Sequence, residues 1–320
     1  MKKILFLFYN AGAGVHVANS MVEDAVRSLP YDLTFCREYG NDSSATYYYP
    51  LIVKDSPDII VLQDFFPGLI QAAVDYKMQE NAACKILLFS FTTYPTAADI
   101  DKALLEKLDG IYLPHRDNPV VDTPAHVNTF HPPLNLSRFK PYRSWADREK
   151  VFCSIGRLID TKCSVSLLSQ FQNYKAPYDY YANRVDVTAR DQTYCNLVAS
   201  FNEFATLHPQ LTRGQVARTL NNYKYHILLA EGDCFSIITL EALACGTIPI
   251  LICSTNRRQG LLSWLPESFG LHYRSIEDFA NDIPRLQTVD LSKKSKDESL
   301  YIRAHYNQAD FYAQVASHFS

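Results

Sequence analysis

Among the 8 cysteines of this 320-residue chain there is no Cys-x-x-Cys pair and no cysteine and histidine cluster at zinc spacing. That excludes a zinc ribbon or a thioredoxin-type redox motif and leaves reduced thiols in a cytoplasm as the simplest reading. No apolar run reaches membrane-spanning length, so no membrane partner is expected. The opening Met1 to Tyr9 is too short for a signal peptide and reads as a first strand. Charge of one sign is also lacking. A formal net charge of -3 gives no global basic field of the kind that announces nucleic acid, and only a local rim is available for phosphates. Candidates for that rim are Arg213, Arg218, Lys224, Arg257, Arg258 and the run Lys293-Lys294-Ser-Lys296, each read with equal weight as a solvated charge or a phosphate contact. There is no internal repeat and no low-complexity tract beyond Tyr47-Tyr-Tyr49.

What is present is the composition of a soluble globular protein, 47% hydrophobic and 20% charged, long enough for two domains that each bury a core. Short apolar runs alternate with helical intervals, which predicts parallel sheets covered on both faces. Strands are expected at Ile4 to Phe8, Leu33 to Cys36, Ile59 to Gln63, Ile86 to Phe89, Ile111 to Leu113 and Val127 to Thr129. After a proline-marked boundary near Pro132, Pro133 and Pro141 they resume at Val151 to Ser154, Tyr178 to Tyr181, Tyr225 to Leu229, Ile248 to Ile252 and Leu271 to Tyr273. The domains expected are 1–140 and 141–297, with residues 298–320 as a terminal helix.

The most informative stretch is Asp233-Cys-Phe-Ser-Ile-Ile-Thr-Leu-Glu241, followed by Ala-Leu-Ala-Cys-Gly246-Thr-Ile-Pro249. It reads as a buried strand, an acidic loop, an apolar helix opened by Ser236, a glycine stop at Gly246 and another strand. Two carboxylates bracketing a loop-to-helix turn suit a nucleotide-sugar. Backbone N–H groups at the helix start, here from Phe235 and Ser236, hold a diphosphate, and a carboxylate inside the helix accepts hydrogen bonds from vicinal hydroxyls. Upstream, Val151-Phe-Cys-Ser-Ile-Gly156-Arg157 is a strand running into a Gly-Arg turn, with Lys162 five residues after the arginine. A third element is the glycine loop Asn10-Ala-Gly12-Ala-Gly14 between the first strand and a helix expected from about Val15 to Ser28.

These motifs resemble the donor site of retaining GT-B glycosyltransferases, in which an acidic residue, seven others and a Glu precede a small-residue run ending in Gly-x-x-Pro. Asp233 stands where that pattern has a first Glu, which implies a changed sugar pocket; Glu231 is two residues outside the spacing. The resemblance implies an α/β fold of the GT-B type, two Rossmann-like domains facing each other across a cleft, and a UDP-sugar co-substrate with no cofactor and no metal. It implies that Arg157 and Lys162 neutralise the diphosphate, Asp233 orients the sugar and Glu241 binds the ribose. Gly12, Gly14, Gly156, Phe235 and Ser236 complete the donor site.

A narrower resemblance lies in Ala176-Pro-Tyr-Asp-Tyr-Tyr181-Ala-Asn183-Arg184, Phe130-His-Pro-Pro133-Leu-Asn and Leu240-Glu241-x-x-Ala244-Cys-Gly246-Thr-Ile-Pro249. These segments are similar to the α-glucosyltransferases of T-even bacteriophages, which act on 5-hydroxymethylcytosine in DNA. This adds Tyr181, Asn183 and Arg184 to the donor residues and implies double-stranded DNA as acceptor, a monomer, and the host cytoplasm as location. The family's His-Asp pair has no counterpart in Leu88-Phe-Ser90-Phe-Thr92-Thr93. His115 and Asp117 are a substitute acceptor base or phosphate contact, read with equal weight as structural. Tyr223 to Glu231 also resembles fucosyltransferases of envelope polysaccharide synthesis. Three functions therefore stand: transfer of glucose or arabinose to modified phage DNA, GT-B transfer in envelope glycan synthesis, and nucleotide-sugar binding without catalysis.

Overall fold

The computed structural model describes residues 2–7, 21–36, 45–63, 66–90, 102–113, 127–129, 133–159, 161–182, 192–229, 236–253, 265–266 and 268–319. The chain forms two compact units, Met1–Pro133 with Gln308–Ser320, and Leu134–Asn307.

The first unit holds a six-stranded sheet in the order β2-β1-β3-β4-β5-β6. Its strands are β1 (Lys3–Leu7), β2 (Asp32–Cys36), β3 (Ile59–Gln63), β4 (Lys85–Phe89), β5 (Gly110–Leu113) and β6 (Val127–Thr129), all in parallel pairs. β3 is buried at every residue, as expected for an unbroken Ile-Ile-Val-Leu run covered on both faces. The core joins Leu5, Leu7, Ile60 and Leu62 of the sheet to Ile70, Ala73 and Val74 of the Pro67–Gln79 helix. Residues 21–27 are helical, within the helix expected after the glycine loop.

The second unit repeats the plan with β12-β11-β10-β7-β8-β9. Here the strands are β7 (Lys150–Gly156), β8 (Tyr178–Ala182), β9 (Ala205–His208), β10 (Tyr223–Leu229), β11 (Ile248–Ile252) and β12 (Leu271–Tyr273), again all parallel. One face buries Phe152, Tyr178, Tyr180 and Tyr225 against Leu168, Phe171 and Phe279. The other buries Ile155 against Val216, Leu220, Leu240 and Leu243. Arg148 ties these layers together although it is 3% exposed and faces no carboxylate among the described residues. Its guanidinium donates to the Tyr223 carbonyl at 2.7 Å, Thr247 Oγ1 at 2.8 Å and the Cys245 carbonyl at 2.6 Å.

The structure departs from the sequence reading in three places. The four-residue strand β9 was not expected. The tail is two helices, Ser292–His305 and Gln308–Phe319, and only the second belongs to the first unit. Phe311, Val315 and Phe319 are buried there, and Tyr31 donates to the Phe319 carbonyl. The unit boundaries therefore fall at 133/134 and 307/308 rather than at 140/141 and 297/298. Among the described residues no helix is long and apolar enough to cross a membrane.

Candidate functional site

In the second sheet β7 and β10 are neighbours, yet the chain runs from β7 outward through β8 and β9 and returns through β10 outward to β11 and β12. Helices leaving the carboxyl ends of two such strands go to opposite faces, which leaves a crevice between them where ligands of open α/β sheets bind. Gly156 ends β7 and Arg157 follows it, and Ser236 opens the helix that follows β10. The two principal sequence motifs thus stand side by side at the carboxyl edge of adjacent strands.

The strands part as they approach this edge. Ladder partners run to Cys153 and His226, whereas both strands continue. Beyond that point side chains supply the bonds. Ser154 Oγ donates to the Ile227 carbonyl at 2.6 Å, and the Ile155 N–H donates to His226 Nε2 at 3.2 Å. Tyr178 in turn donates to Ser154 Oγ at 2.8 Å. His226 is fully buried, and burial, against the Ile155 hydrogen bond, lowers its pKa from 6.5 to about 4. It is a neutral imidazole acting as a backbone acceptor.

The turn after β7 is pinned through its backbone. The Tyr180 hydroxyl donates to the Arg157 carbonyl at 2.6 Å, and the N–H groups of Ile159, Lys162 and Cys163 close the turn on the carbonyls of Arg157 and Ile159. The Arg157 side chain is exposed, while Lys162 Nζ is buried. Among the described residues a Cβ on Gly156 would meet the Tyr180 hydroxyl, at 3.6 Å, an ordinary contact.

Ser236 is the N-cap of the Ile237–Ala244 helix, and its Oγ accepts from the Thr239 N–H and hydroxyl. The helix ends in a Schellman motif, with Gly246 N–H bonded to Leu243 O and Thr247 N–H to Ala242 O. Gly246 sits at φ +73°, a conformation that glycine adopts without steric cost. Inside the helix Glu241 is 0% exposed. Both its oxygens accept from Arg213, Oε2 from Nη1 at 2.9 Å and Oε1 from Nη2. Burial raises the Glu241 pKa from 4.5 to about 7, against the pull of Arg213 and, more weakly, Arg138. Arg213 opens the Arg213–Asn222 helix behind a Thr212 and Gln215 capping box, and its guanidinium lies 5.1 Å from the Phe139 ring centre.

Arg157, Lys162, Gly156, Ser236 and Glu241 are thus placed on two adjacent strand-to-helix connections of one unit. Tyr181 is on β8, its hydroxyl 2.9 Å from that of Tyr223 and its ring stacked on His208 at 4.5 Å. Both rings belong to a network around Asp179, which accepts from Lys150 at 2.9 Å, Tyr223 at 2.7 Å and His208. Burial would raise the Asp179 pKa, but these hydrogen bonds outweigh it and hold it below the usual carboxylate range. Asp233, Phe235, Gly12, Gly14, Asn183, Arg184, His115 and Asp117 lie outside the described residues, as do Glu231, Arg257 and Arg258. Two of the rim candidates are paired with acids. Glu241 holds Arg213, whose side chain stays 35% exposed. Lys294 is likewise engaged, with Glu298 at 2.7 Å. Among the described residues no three His, Cys, Asp or Glu side chains form a metal-ligand set.

No protein-family model and no curated protein sequence matches the chain. Solved structures do. The sucrose-phosphate synthase of Thermosynechococcus elongatus matches with a TM-score of 0.79 at 14% identity, over 100% of this chain and 98% of that one. The fold is GT-B. Anabaena HepE, solved with UDP-glucose, matches with a TM-score of 0.72 at 8% identity over 99% of both chains. The lipopolysaccharide outer core galactosyltransferase WaaB gives 0.65 at 13%, also over 99% of both. At such identities the likeness carries the GT-B architecture, and the chemistry is argued from the residues.

Proposed function

We propose that this chain transfers a sugar, with retention of configuration, from a UDP-sugar onto 5-hydroxymethylcytosine in DNA or onto a sugar already attached to that base. The observation that carries the transferase reading is the pairing of the Gly156-Arg157 turn with the Ser236 helix start at the switch point of a GT-B sheet. Arg157 and Lys162 balance the charge that grows on the departing diphosphate, and the helix start adds its N–H groups. In a retaining transfer the bond from the anomeric carbon to the diphosphate oxygen breaks with its electron pair leaving on the phosphate. The acceptor oxygen forms the new bond on that same face and gives up its proton, for which His115 with Asp117 is the proposed base. Asp233 orients the sugar hydroxyls. UDP-glucose bound to the HepE neighbour supports the donor class.

Glu241 is assigned to the ribose. Each of its oxygens keeps a lone pair beyond the bond from Arg213, to which a ribose hydroxyl would donate. Glu241→Ala is expected to weaken UDP binding by about 2 kcal/mol, the value of a charge-assisted hydrogen bond. Calorimetry with UDP measures it, and unchanged affinity removes Glu241 from the site.

The acceptor reading rests on the motifs between residues 126 and 260 that resemble those of phage DNA glucosyltransferases. The WaaB likeness favours a second reading, an envelope glycan acceptor. UDP-glucose and UDP-arabinose supplied with unmodified, hydroxymethylated and already glycosylated duplexes separate the two. Sugar is expected on the hydroxymethylated or glycosylated DNA. If all three stay unmodified while a lipid-linked or oligosaccharide acceptor is consumed, the envelope reading replaces it. Hydrolysis and transfer both failing, with UDP still bound, leaves the non-catalytic binder.

A further inference from the structure

On the second unit a groove of about 650 Å³ runs between the Arg213–Asn222 helix and the segment 138–143 that leads into β7. The helix contributes Gly214, Arg218 and Asn222, the segment Arg138, Tyr142 and Arg143. Among the described residues three guanidiniums and no carboxylate line it, in a chain of net charge -3. All three arginines are exposed, and none is bound to a buried acid among the described residues. Among the described residues Arg143 pairs with Glu149, at 3.4 Å with both side chains open to solvent, a pair weak enough to exchange for another anion. The wall is rigid where it needs to be. Asn221 fixes the segment to the helix, accepting from the Tyr142 N–H at 2.6 Å and donating to the Lys140 carbonyl at 3.0 Å. Tyr142 is 52% exposed, with Lys140 Nζ 5.6 Å from its ring centre. Lys224 continues the positive stripe beyond the helix, over the Trp145 ring at 5.8 Å.

We infer that this groove binds the phosphodiester backbone of a nucleic-acid strand, and that it is where the acceptor DNA is gripped outside the transfer site. The inference rests on the DNA reading of the acceptor. Length argues for a strand over a single phosphate. From Gly214 to Asn222 the helix spans about 12 Å, more than three times the roughly 3.4 Å axial rise per phosphate of one B-form strand, so the groove is longer than a single phosphate needs. An exposed tyrosine beside the cations gives a sugar or base a face to stack on. Arg143 and Arg218 lie outside the cluster of Arg157, Lys162, Ser236 and Glu241, so mutating these two separates the grip from the donor chemistry.

The test uses the full chain and a fluorescein-labelled duplex of about 20 base pairs, with binding read by anisotropy over a salt series. The variants are Arg143→Glu/Arg218→Glu and the milder Arg143→Gln/Arg218→Gln. Charge reversal is expected to weaken binding of hydroxymethylated and plain duplex equally, by tenfold or more, with the Gln pair intermediate. The slope of log K against log salt is expected to fall by about 0.9 for each phosphate that the variant no longer neutralises. UDP affinity and the melting temperature are expected to stay at wild-type values. Unchanged DNA affinity in both variants overturns the inference, as does tight binding of inorganic phosphate or a sugar phosphate by these arginines with no DNA binding. If hydroxymethylated DNA is glycosylated with the same KM by wild type and variants, the groove fails and the proposed reaction stands. If DNA is held through these arginines but never modified, the groove stands and the acceptor assignment fails.

Discussion

Replacing Arg157 or Lys162 by alanine is expected to lower turnover at saturating donor by about 100-fold each, the usual cost of one preorganised charge contact in the transition state. The structure makes this a clean measurement for Arg157. Its backbone is held by the Tyr180 hydroxyl and the turn bonds of Ile159, and its side chain is exposed, so truncation removes a cation without opening a core. Melting temperature is expected to change by little. Lys162 differs, because its Nζ is buried and its removal carries a stability cost as well. Thermal melts in parallel separate the two effects, since only the catalytic one survives when folded variant is quantified. The contacts proposed here act most strongly as the diphosphate departs, so kcat is expected to fall more than donor affinity. Near wild-type turnover in both variants removes the diphosphate assignment, and with it the second of the two motifs on which the transferase reading stands.

These motifs were legible because each is local. A capping serine, an apolar helix and a glycine stop occupy eleven consecutive positions from Ser236 to Gly246, and the structure forms an N-cap and a Schellman motif from them. Unbroken apolar runs such as Ile59 to Leu62 and Ile248 to Ile252 announce strands covered on both faces. What was not legible depends on distance in sequence. Nothing near Arg213 marks it as the partner of Glu241, 28 residues later. The Thr212-x-x-Gln215 capping box gives the helix start but not the direction of the arginine. Arg148 sits in sequence between Asp147 and Glu149 like a solvated charge, and only the fold turns it into a buried clamp on three acceptors. Strand β9 is four residues at a sheet edge, too short for alternation to show. The tail kept a helical period across Tyr306 and Asn307, so periodicity alone did not reveal that its two helices serve different units.

Two buried titrating groups of the second unit, His226 and Glu241, are expected to pull stability in opposite directions over the same pH range. His226 titrates at about 4 in the folded chain and 6.5 when solvated. Between these values the unfolded chain holds a proton that the folded chain does not, so this group lowers stability as pH falls from 6.5 to 4. Glu241 titrates at about 7 folded and 4.5 solvated. In its window the folded chain holds the extra proton, so this group's contribution is fully present below 4.5 and is lost as pH rises through 7. Each shift is about 2.5 units, which at 1.36 kcal/mol per unit is about 3 kcal/mol over the full window. The two nearly cancel between 4.5 and 6.5, and substitution of either unmasks the other. Asp179, held low by its hydrogen bonds, gives up its stabilisation only at more acid pH, below this range. Relative to wild type, Glu241→Gln is expected to lose up to about 3 kcal/mol between pH 7 and 4.5 as the His226 penalty stands alone. His226→Gln keeps an acceptor for the Ile155 N–H without titrating, and is expected to gain a similar amount over that interval. Urea unfolding at half-unit pH steps reads both slopes against wild type, so background titrations cancel. Parallel pH profiles for all three proteins would mean that these two groups do not titrate as their burial demands.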